Sequence, residues 1–233
     1  MKGVRPKVAV VVFPGSNDHG DAAWALAALG ADPVLVWHAD ETLPDVGAVV
    51  LPGGFSYGDY LRPGAIARFA PALQAVARFA AEGGLVLGIC NGFQILCEAG
   101  LLPGLLRPNA SLSFVCRDVD VVVERAGTPF TSRCDPGKLL KIPVKHGDGC
   151  WYAPPDLVAT LEQREQIVLR YGAGTNPNGS VADVAGVVNE DGNVMGLMPH
   201  PEHAVDPLLG SGEGALLLAS LVDAARDRVL ATV

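Results

Sequence analysis

The chain has 233 residues, of which 49% are hydrophobic and 18% charged, and this balance excludes a disordered chain. Its formal net charge of −8 argues against nucleic acid as the main partner, because phosphate binding takes clustered Lys and Arg. The longest apolar runs, 8–13 and 215–222, are far shorter than the roughly 20 residues of a membrane span. No linker divides the sequence, so we expect one domain over residues 1–233.

The first half of the chain alternates apolar runs with amphipathic segments. Strands are predicted over 7–13, 33–37, 48–51 and 85–89. Helices are predicted over 19–29 with Asp18 as N-cap, over 71–82 and over 91–99. Continuous apolar strands of this kind are typical of a parallel sheet that is buried on both faces.

The second half changes its periodicity. Residues 115–124 alternate apolar with charged side chains, which predicts a half-exposed antiparallel strand. Further strands are predicted over 142–144, 167–171, 185–188 and 194–198, and a final helix over 215–229. The sequence therefore predicts an α/β fold: a doubly wound, mixed, mostly parallel sheet flanked by helices, with function at the carboxyl ends of the strands.

The strongest local motif is Gly88-Ile89-Cys90-Asn91-Gly92, between an apolar strand and a helix. This is the pattern of a nucleophile elbow with Cys in place of Ser. A sharp turn pushes the nucleophile into a cleft, and the flanking glycines let other backbone approach. The positive end of the following helix favours a thiolate. The bland alternative is a buried structural cysteine.

A thiolate nucleophile needs a base and a group that orients the base. The segment Met198-Pro199-His200-Pro201-Glu202 offers both. Alternating prolines predict an extended segment, in which positions i and i+2 share a side. Glu202 would then hold one nitrogen of His200 and leave the other for Cys90. Taken alone, the segment reads equally well as a surface turn.

Five cysteines stand at 90, 97, 116, 134 and 150, an odd number without a CxxC pair. This spacing indicates neither a disulfide framework nor a zinc knuckle, and we therefore expect a reducing, cytoplasmic location. The histidines at 19, 38 and 146 are scattered, so no metal site is predicted.

The pattern Gly88-x-Cys90-x-Gly92-x-Gln94 with a distant His-x-Glu resembles class I, triad-type glutamine amidotransferases over essentially the whole chain. Within that class, four segments are similar to the glutaminase subunits of phosphoribosylformylglycinamidine synthases: PGGFSYGDY (52–60), NGFQIL (91–96), NPNGS (176–180) and PHPE (199–202). The resemblance implies the flavodoxin-like amidotransferase fold. It also implies a Cys90–His200 pair oriented by Glu202.

The resemblance further assigns supporting roles around this triad. The N–H groups of Gly54 and Asn91 would form the oxyanion hole, and Gln94 would contact the bound glutamine. His146 and Gly147 would lie near the α-groups of glutamine. Two positions depart from the family pattern: His203 replaces an expected Arg, and Asp148 replaces an expected Glu. We expect neither departure to touch the triad.

The resemblance implies that ammonia passes to a separate large synthetase subunit, with a small accessory subunit in the same enzyme. There ATP would convert formylglycinamide ribonucleotide to the amidine in purine biosynthesis. This chain has no G-x-x-x-x-G-K-[ST] motif, so no cofactor is expected on it, and ATP and Mg²⁺ are expected on the synthetase. The alternatives are an amidotransferase for another acceptor, a related cysteine hydrolase, and a catalytically silent glutamine-binding or scaffold module.

Overall fold

The computed structural model describes residues 4–231, so both ends of the predicted 1–233 domain lie outside the described residues. The strands are β1 (Lys7–Val12), β2 (Asp32–Trp37), β3 (Ala48–Leu51), β4 (Leu85–Ile89), β5 (Leu105–Arg107), β6 (Val115–Val123), β7 (Leu139–His146), β8 (Cys150–Tyr152), β9 (Ile167–Tyr171), β10 (Val184–Val188) and β11 (Val194–Leu197). The α-helices are α1 (His19–Ala28), α2 (Pro71–Ala81), α3 (Asn91–Glu98), α4 (Pro155–Gln163) and α5 (Ala215–Ala231).

Nine of these strands form one mixed sheet in the order β2-β1-β3-β4-β11-β10-β9-β6-β7. The strands from β2 to β11 pair in parallel, and those from β11 to β7 pair antiparallel. The predicted α/β class with a mixed sheet and flanking helices is confirmed. The parallel half consists of almost wholly apolar strands because helices cover it, as predicted for buried strands.

Three elements were missed by the sequence analysis. Strands β5 and β8 are three residues each and pair only with one another, so neither is long enough to show a period. Helix α4 begins with a proline at its first turn and buries Val158 and Leu161, three residues apart. That spacing was a readable helical signal.

The N-cap prediction for α1 was half right. Asp18 occupies the N-cap position, but its side chain makes no capping hydrogen bond. It instead accepts a 2.6 Å hydrogen bond from Lys145 Nζ, on β7. The local sequence predicted that the Asp18 carboxylate caps α1, but in the structure this carboxylate binds Lys145 on the antiparallel half of the sheet.

Among the described residues, no helix is both long and apolar enough to cross a membrane.

Candidate active site

Cys90 sits in a strained turn between β4 and α3. Its φ of 50° and ψ of −102° lie outside the regions that L-residues prefer, and strain of this kind is typical of a nucleophile elbow. A Cβ on Gly92 would fall on the carbonyl oxygen of Leu51, and one on Gly88 would lie 2.6 Å from Leu96 Cδ1. The flanking glycines therefore let β3, β4 and α3 approach closely enough to form the turn.

Strand register brings His200 to the same place. Strand β11 pairs in parallel with β4, with Leu197 opposite Ile89, so Cys90 and His200 follow neighbouring strand ends. The Cys90 N–H donates to Leu197 O at 2.8 Å, and the His200 N–H donates to Pro143 O at 2.8 Å. Both side chains line one cavity of about 170 Å³. The parallel register of β4 and β11 therefore explains why Cys90 and His200 lie at the same cavity.

Glu202 orients His200, but not through the extended backbone that the prolines predicted. Residues Pro201–His203 form a turn of 3₁₀ helix, so that prediction was wrong. Within this turn His200 Nδ1 still donates to Glu202 Oε1 at 2.6 Å, and both side chains are almost completely buried. A proline can open a helical turn as readily as it extends a chain, and here tertiary packing selects the turn.

The charge state of His200 suits a pair with a thiolate. Burial alone would lower its pKa, but the negative charges of Glu202 and Cys90 outweigh burial and raise the pKa to about 10. The imidazole therefore holds its proton at neutral pH. Its Nε2 atom is buried and has no hydrogen-bond partner among the described residues.

Of the two predicted oxyanion donors, Gly54 lines the cavity and Asn91 does not. Gly54 has a φ of +145°, which L side chains rarely adopt, and a Cβ there would meet Asn17 N at 2.6 Å. Asn91 opens α3 directly after Cys90, where helical N–H groups have no partner within the helix. The Asn91 side chain is used elsewhere, since its Oδ1 accepts from Ser56 N at 3.1 Å.

Gln94 also lines the cavity, but its amide is held by the protein. Its Nε2 donates to Asp148 O at 2.7 Å, and its Oε1 accepts from Asn91 Nδ2 at 2.9 Å. Asp59, which was not predicted, lines the same cavity with Asp148. Burial and the charge of Asp148 raise the pKa of Asp59 to about 6, which leaves two carboxyl groups facing the space in front of Cys90.

His146 lines the cavity, but its ring is engaged in a buried network. Its Nδ1 donates to Asn109 Oδ1 at 3.0 Å, and its Nε2 lies 3.4 Å from Asn178 Nδ2. Burial and the charge of His200 lower its pKa to about 4, so the ring is neutral. Both nitrogens have protein partners, and the backbone at Gly147 is therefore the better placed to meet a ligand.

One expectation about the departures from the family pattern was wrong, because His203 does touch the triad. Its Nε2 lies 3.5 Å from Glu202 Oε1 and 3.5 Å from Asp18 Oδ1. Asp18 in turn has its Oδ2 atom 3.6 Å from His200 Nδ1. Burial favours the neutral acid, but His203, Lys145 and His200 together lower the pKa of Asp18 below its usual range.

Gly53 makes this approach possible, because a Cβ there would collide with Asp18 Oδ2 and lie 2.7 Å from His200 Cε1. A strained cysteine at a strand end, with a buried histidine and its carboxylate, is the arrangement expected of a triad-type cysteine enzyme on an α/β fold.

Comparison with known proteins narrows this class. The family model of the CobB/CobQ-like glutamine amidotransferase domain matches residues 5–212. A phosphoribosylformylglycinamidine synthase subunit PurQ from Rubrobacter xylanophilus is 59% identical over 94% of this chain and 99% of its own. The corresponding subunit from Salinibacter ruber is 55% identical over 92% of this chain and 94% of its own.

Solved structures agree with these relatives. A chain in the structure of PurLQS from Thermotoga maritima superposes with a TM-score of 0.87 at 45% identity, covering 94% of this chain and 99% of that one. The chain therefore belongs to the CobB/CobQ-like glutamine amidotransferases and, within them, to the PurQ subunits of phosphoribosylformylglycinamidine synthase.

Proposed function

We propose that this chain hydrolyses glutamine to glutamate and ammonia with Cys90 as nucleophile, and that it supplies the ammonia to phosphoribosylformylglycinamidine synthase. The main support for this proposal is the buried hydrogen bond of 2.6 Å that His200 donates to Glu202, at a cavity that His200 lines together with Cys90. The family relationship supports the substrate, and the geometry supports the assignment of the residues.

The reaction runs in two halves. The Cys90 thiolate attacks the amide carbon of glutamine, and the N–H groups of Gly54 and Asn91 stabilise the oxyanion. The imidazolium of His200 then gives its proton to the departing nitrogen, which leaves as ammonia, and a thioester remains. His200, now neutral, takes a proton from water as the water attacks the thioester. Glutamate departs, and the thiolate–imidazolium pair is restored.

The cavity also offers a place for the α-ammonium group of glutamine. Asp59 and Asp148 line it together with Cys90, whereas Lys145 of the lining is already paired with Asp18 and His200 with Glu202. A carboxylate pair whose neighbouring cations are paired elsewhere attracts an ammonium group. We assign the α-ammonium to these two residues and a supporting role to Gln94, whose amide holds the Asp148 backbone.

The large synthetase subunit and a small accessory subunit are the proposed partners, because the similar Thermotoga maritima chain belongs to a PurLQS structure. ATP and Mg²⁺ belong to the synthetase reaction in this proposal, because thioester hydrolysis by the triad needs neither. A cytoplasmic location is consistent with five free cysteines among the described residues.

The decisive experiment compares wild type with Cys90→Ala in the reconstituted enzyme. We expect Cys90→Ala to abolish glutamate release, while amidine formation continues when ammonium replaces glutamine. Cys97→Ala is the matched control, since Cys97 is on the same helix with its Sγ 3.8 Å from Pro103 O, and it should leave glutamate release unchanged. Loss of both reactions in Cys90→Ala would point to an assembly defect, and retained glutamate release would overturn the assignment.

The silent-module alternative makes the opposite prediction for the wild-type chain. Such a module would bind glutamine without releasing glutamate in the assembled enzyme. An acceptor other than formylglycinamide ribonucleotide would show as glutamate release that the purine synthetase and its nucleotide leave unchanged.

A further inference from the structure

A second opening, which shares no lining residue with the Cys90 cavity, reaches the triad at Glu202. It is a groove of about 570 Å³ whose lining includes Glu202, His203, Asp21 and Asp118. Its lining contains no Lys or Arg among the described residues. The groove therefore gives a cation a negatively charged path to the carboxylate that orients His200.

Four potential metal ligands come together next to Glu202 and His203 of this groove. Asp18, His200, Glu202 and His203 each place a ligand atom so that all four atoms lie within 4.8 Å of one another. The sequence analysis found no such cluster, because Asp18 is far from the other three along the chain. Only the approach of α1 to the turn after β11 brings them together.

The spacing around His203 suits a tetrahedral ion. Its Nε2 lies 3.5 Å from Asp18 Oδ1 and 3.5 Å from Glu202 Oε1. Ligands about 2.0–2.1 Å from a tetrahedral zinc ion stand about 3.4 Å from one another. The observed separations are thus too long for good hydrogen bonds and close to those of a zinc site.

Two ligand atoms of the cluster are also unpartnered. Glu202 Oε2 and His203 Nε2 are buried and have no hydrogen-bond partner within residues 4–231. The Glu202 side chain is completely buried, where an unpaired carboxylate oxygen is costly. A cation bound by the Glu202 carboxylate and His203 Nε2 would lower that cost.

We propose that Asp18, Glu202 and His203 form a binding site for Zn²⁺ that inhibits the glutaminase. Imidazole and carboxylate are ligands that zinc accepts, and water from the groove completes the tetrahedron. The ion takes the Glu202 carboxylate, which now accepts the Nδ1–H of His200. With that hydrogen bond lost, His200 is neither oriented nor held protonated toward Cys90.

Lys145 sets the strength of this site. Its ammonium group is 2.6 Å from Asp18 Oδ1 and is only one third exposed, so it is a resident cation that repels the incoming ion. We therefore expect Lys145→Gln to bind Zn²⁺ more tightly than the parent. A purely structural cluster would not respond in that direction.

The test measures Zn²⁺ binding by titration calorimetry on the untagged full chain carrying Cys90→Ala and Cys116→Ser. These changes remove the catalytic thiol and the exposed one, which bind zinc themselves. We expect one ion per chain, and at least about tenfold weaker binding in His203→Arg, which removes the imidazole ligand and places a fixed cation between the two carboxylates. His203→Gln is the second variant. His19→Gln, next to Asp18 but outside the cluster, should bind as the parent does.

Three results would overturn the proposal. They are no binding by the parent, binding by both His203 variants as tight as that of the parent, or a Co²⁺ spectrum with the charge-transfer band of thiolate ligation. The inhibition rests on the proposed function, but the binding does not. Zn²⁺ should lower the rate of glutamate release by the wild-type enzyme and leave the rate of His203→Arg unchanged. Each rate is compared with the rate of the same enzyme in the presence of a chelator. Equal inhibition of both would overturn the inhibitory role, and a chain without glutaminase activity would overturn the proposed function alone.

Discussion

At the scale of single residues, the site depends on charges that burial would otherwise disfavour. His200 and Glu202 are both fully buried, yet their contact raises the pKa of the imidazole to about 10. The imidazole can therefore act as acid toward the leaving ammonia and, once neutral, as base toward water. Each role requires the carboxylate that holds Nδ1.

Glu202→Gln tests this dependence. The amide keeps the shape but loses the charge, so we expect kcat for glutamine hydrolysis to fall by about 10²–10⁴-fold, as for triads that lose their carboxylate. The measurement is glutamate release under saturating glutamine. Glu98→Gln is the control, because Glu98 binds Arg62 at the surface. Equal rates for Glu202→Gln and wild type would contradict the orienting role.

Asp59 predicts a pH dependence of glutamine binding. Its pKa is raised to about 6, so the carboxylate is charged above that pH and neutral below it. We expect KM for glutamine to rise as the pH falls through 6, because the α-ammonium loses its partner. Asp59→Asn should raise KM by about 10–100-fold above pH 6, the worth of one charged hydrogen bond, and flatten the profile. An unchanged profile in this variant would assign the titration to another group.

At the scale of elements, the β4–α3 turn depends on backbone approach rather than on side-chain contact. Gly92 opens the helix against the carbonyl of Leu51, with no room for a methyl group. We expect Gly92→Ala to lower the free energy of unfolding by about 1–3 kcal/mol, measured by urea denaturation, and to reduce activity by displacing Cys90.

Gly20→Ala is the matched control for this prediction. Gly20 also lies in the first turn of a helix, but nothing stands within 4 Å of a Cβ there. Alanine should stabilise the helix by about 0.5–1 kcal/mol at this position. If both variants changed stability equally, the close approach at Gly92 would not be the cause.

At the scale of the whole molecule, the two halves of the sheet meet across the active site. Lys145 on the antiparallel half donates to Asp18 on the parallel half, at 2.6 Å. Lys145→Met would leave the buried Asp18 carboxylate without its closest counter-charge. We expect a loss of about 1–3 kcal/mol in thermal or urea unfolding, below the value for fully buried pairs because Lys145 is partly exposed.

Lys141→Met serves as the control on the same strand. Lys141 lies 3.6 Å from Asp118, and both side chains are more than half exposed. Such pairs contribute about 0–1 kcal/mol. A comparable loss of unfolding free energy in both variants would mean that the Lys145–Asp18 contact stabilises the protein no more than an exposed ion pair does.

Local patterns were enough to predict the main elements and the nucleophile. Strands β3 and β4 match their predicted bounds. An apolar run bounded by glycine or proline shows in the sequence where the strand begins or ends. The turn at Cys90 was readable for the same reason, since its glycines, strand and helix are contiguous. The short pair β5 and β8 was not, because three residues show no period.

The sequence by itself determined the class of fold, because the alternation of apolar runs and amphipathic segments can be read along the chain. It also singled out Cys90, His200 and Glu202 as the candidate triad, because each lies in a short contiguous motif. Only the tertiary structure decided the conformation of the His200 segment, the place of Asp18 beside it and the contact of His203 with Glu202. These depend on the approach of α1, β7 and the turn after β11. The contacts of Asp18 with His200 and Lys145 join residues more than a hundred positions apart, and no local pattern records them. The contact of His203 with Glu202 is local, but it depends on the 3₁₀ turn that tertiary packing selects.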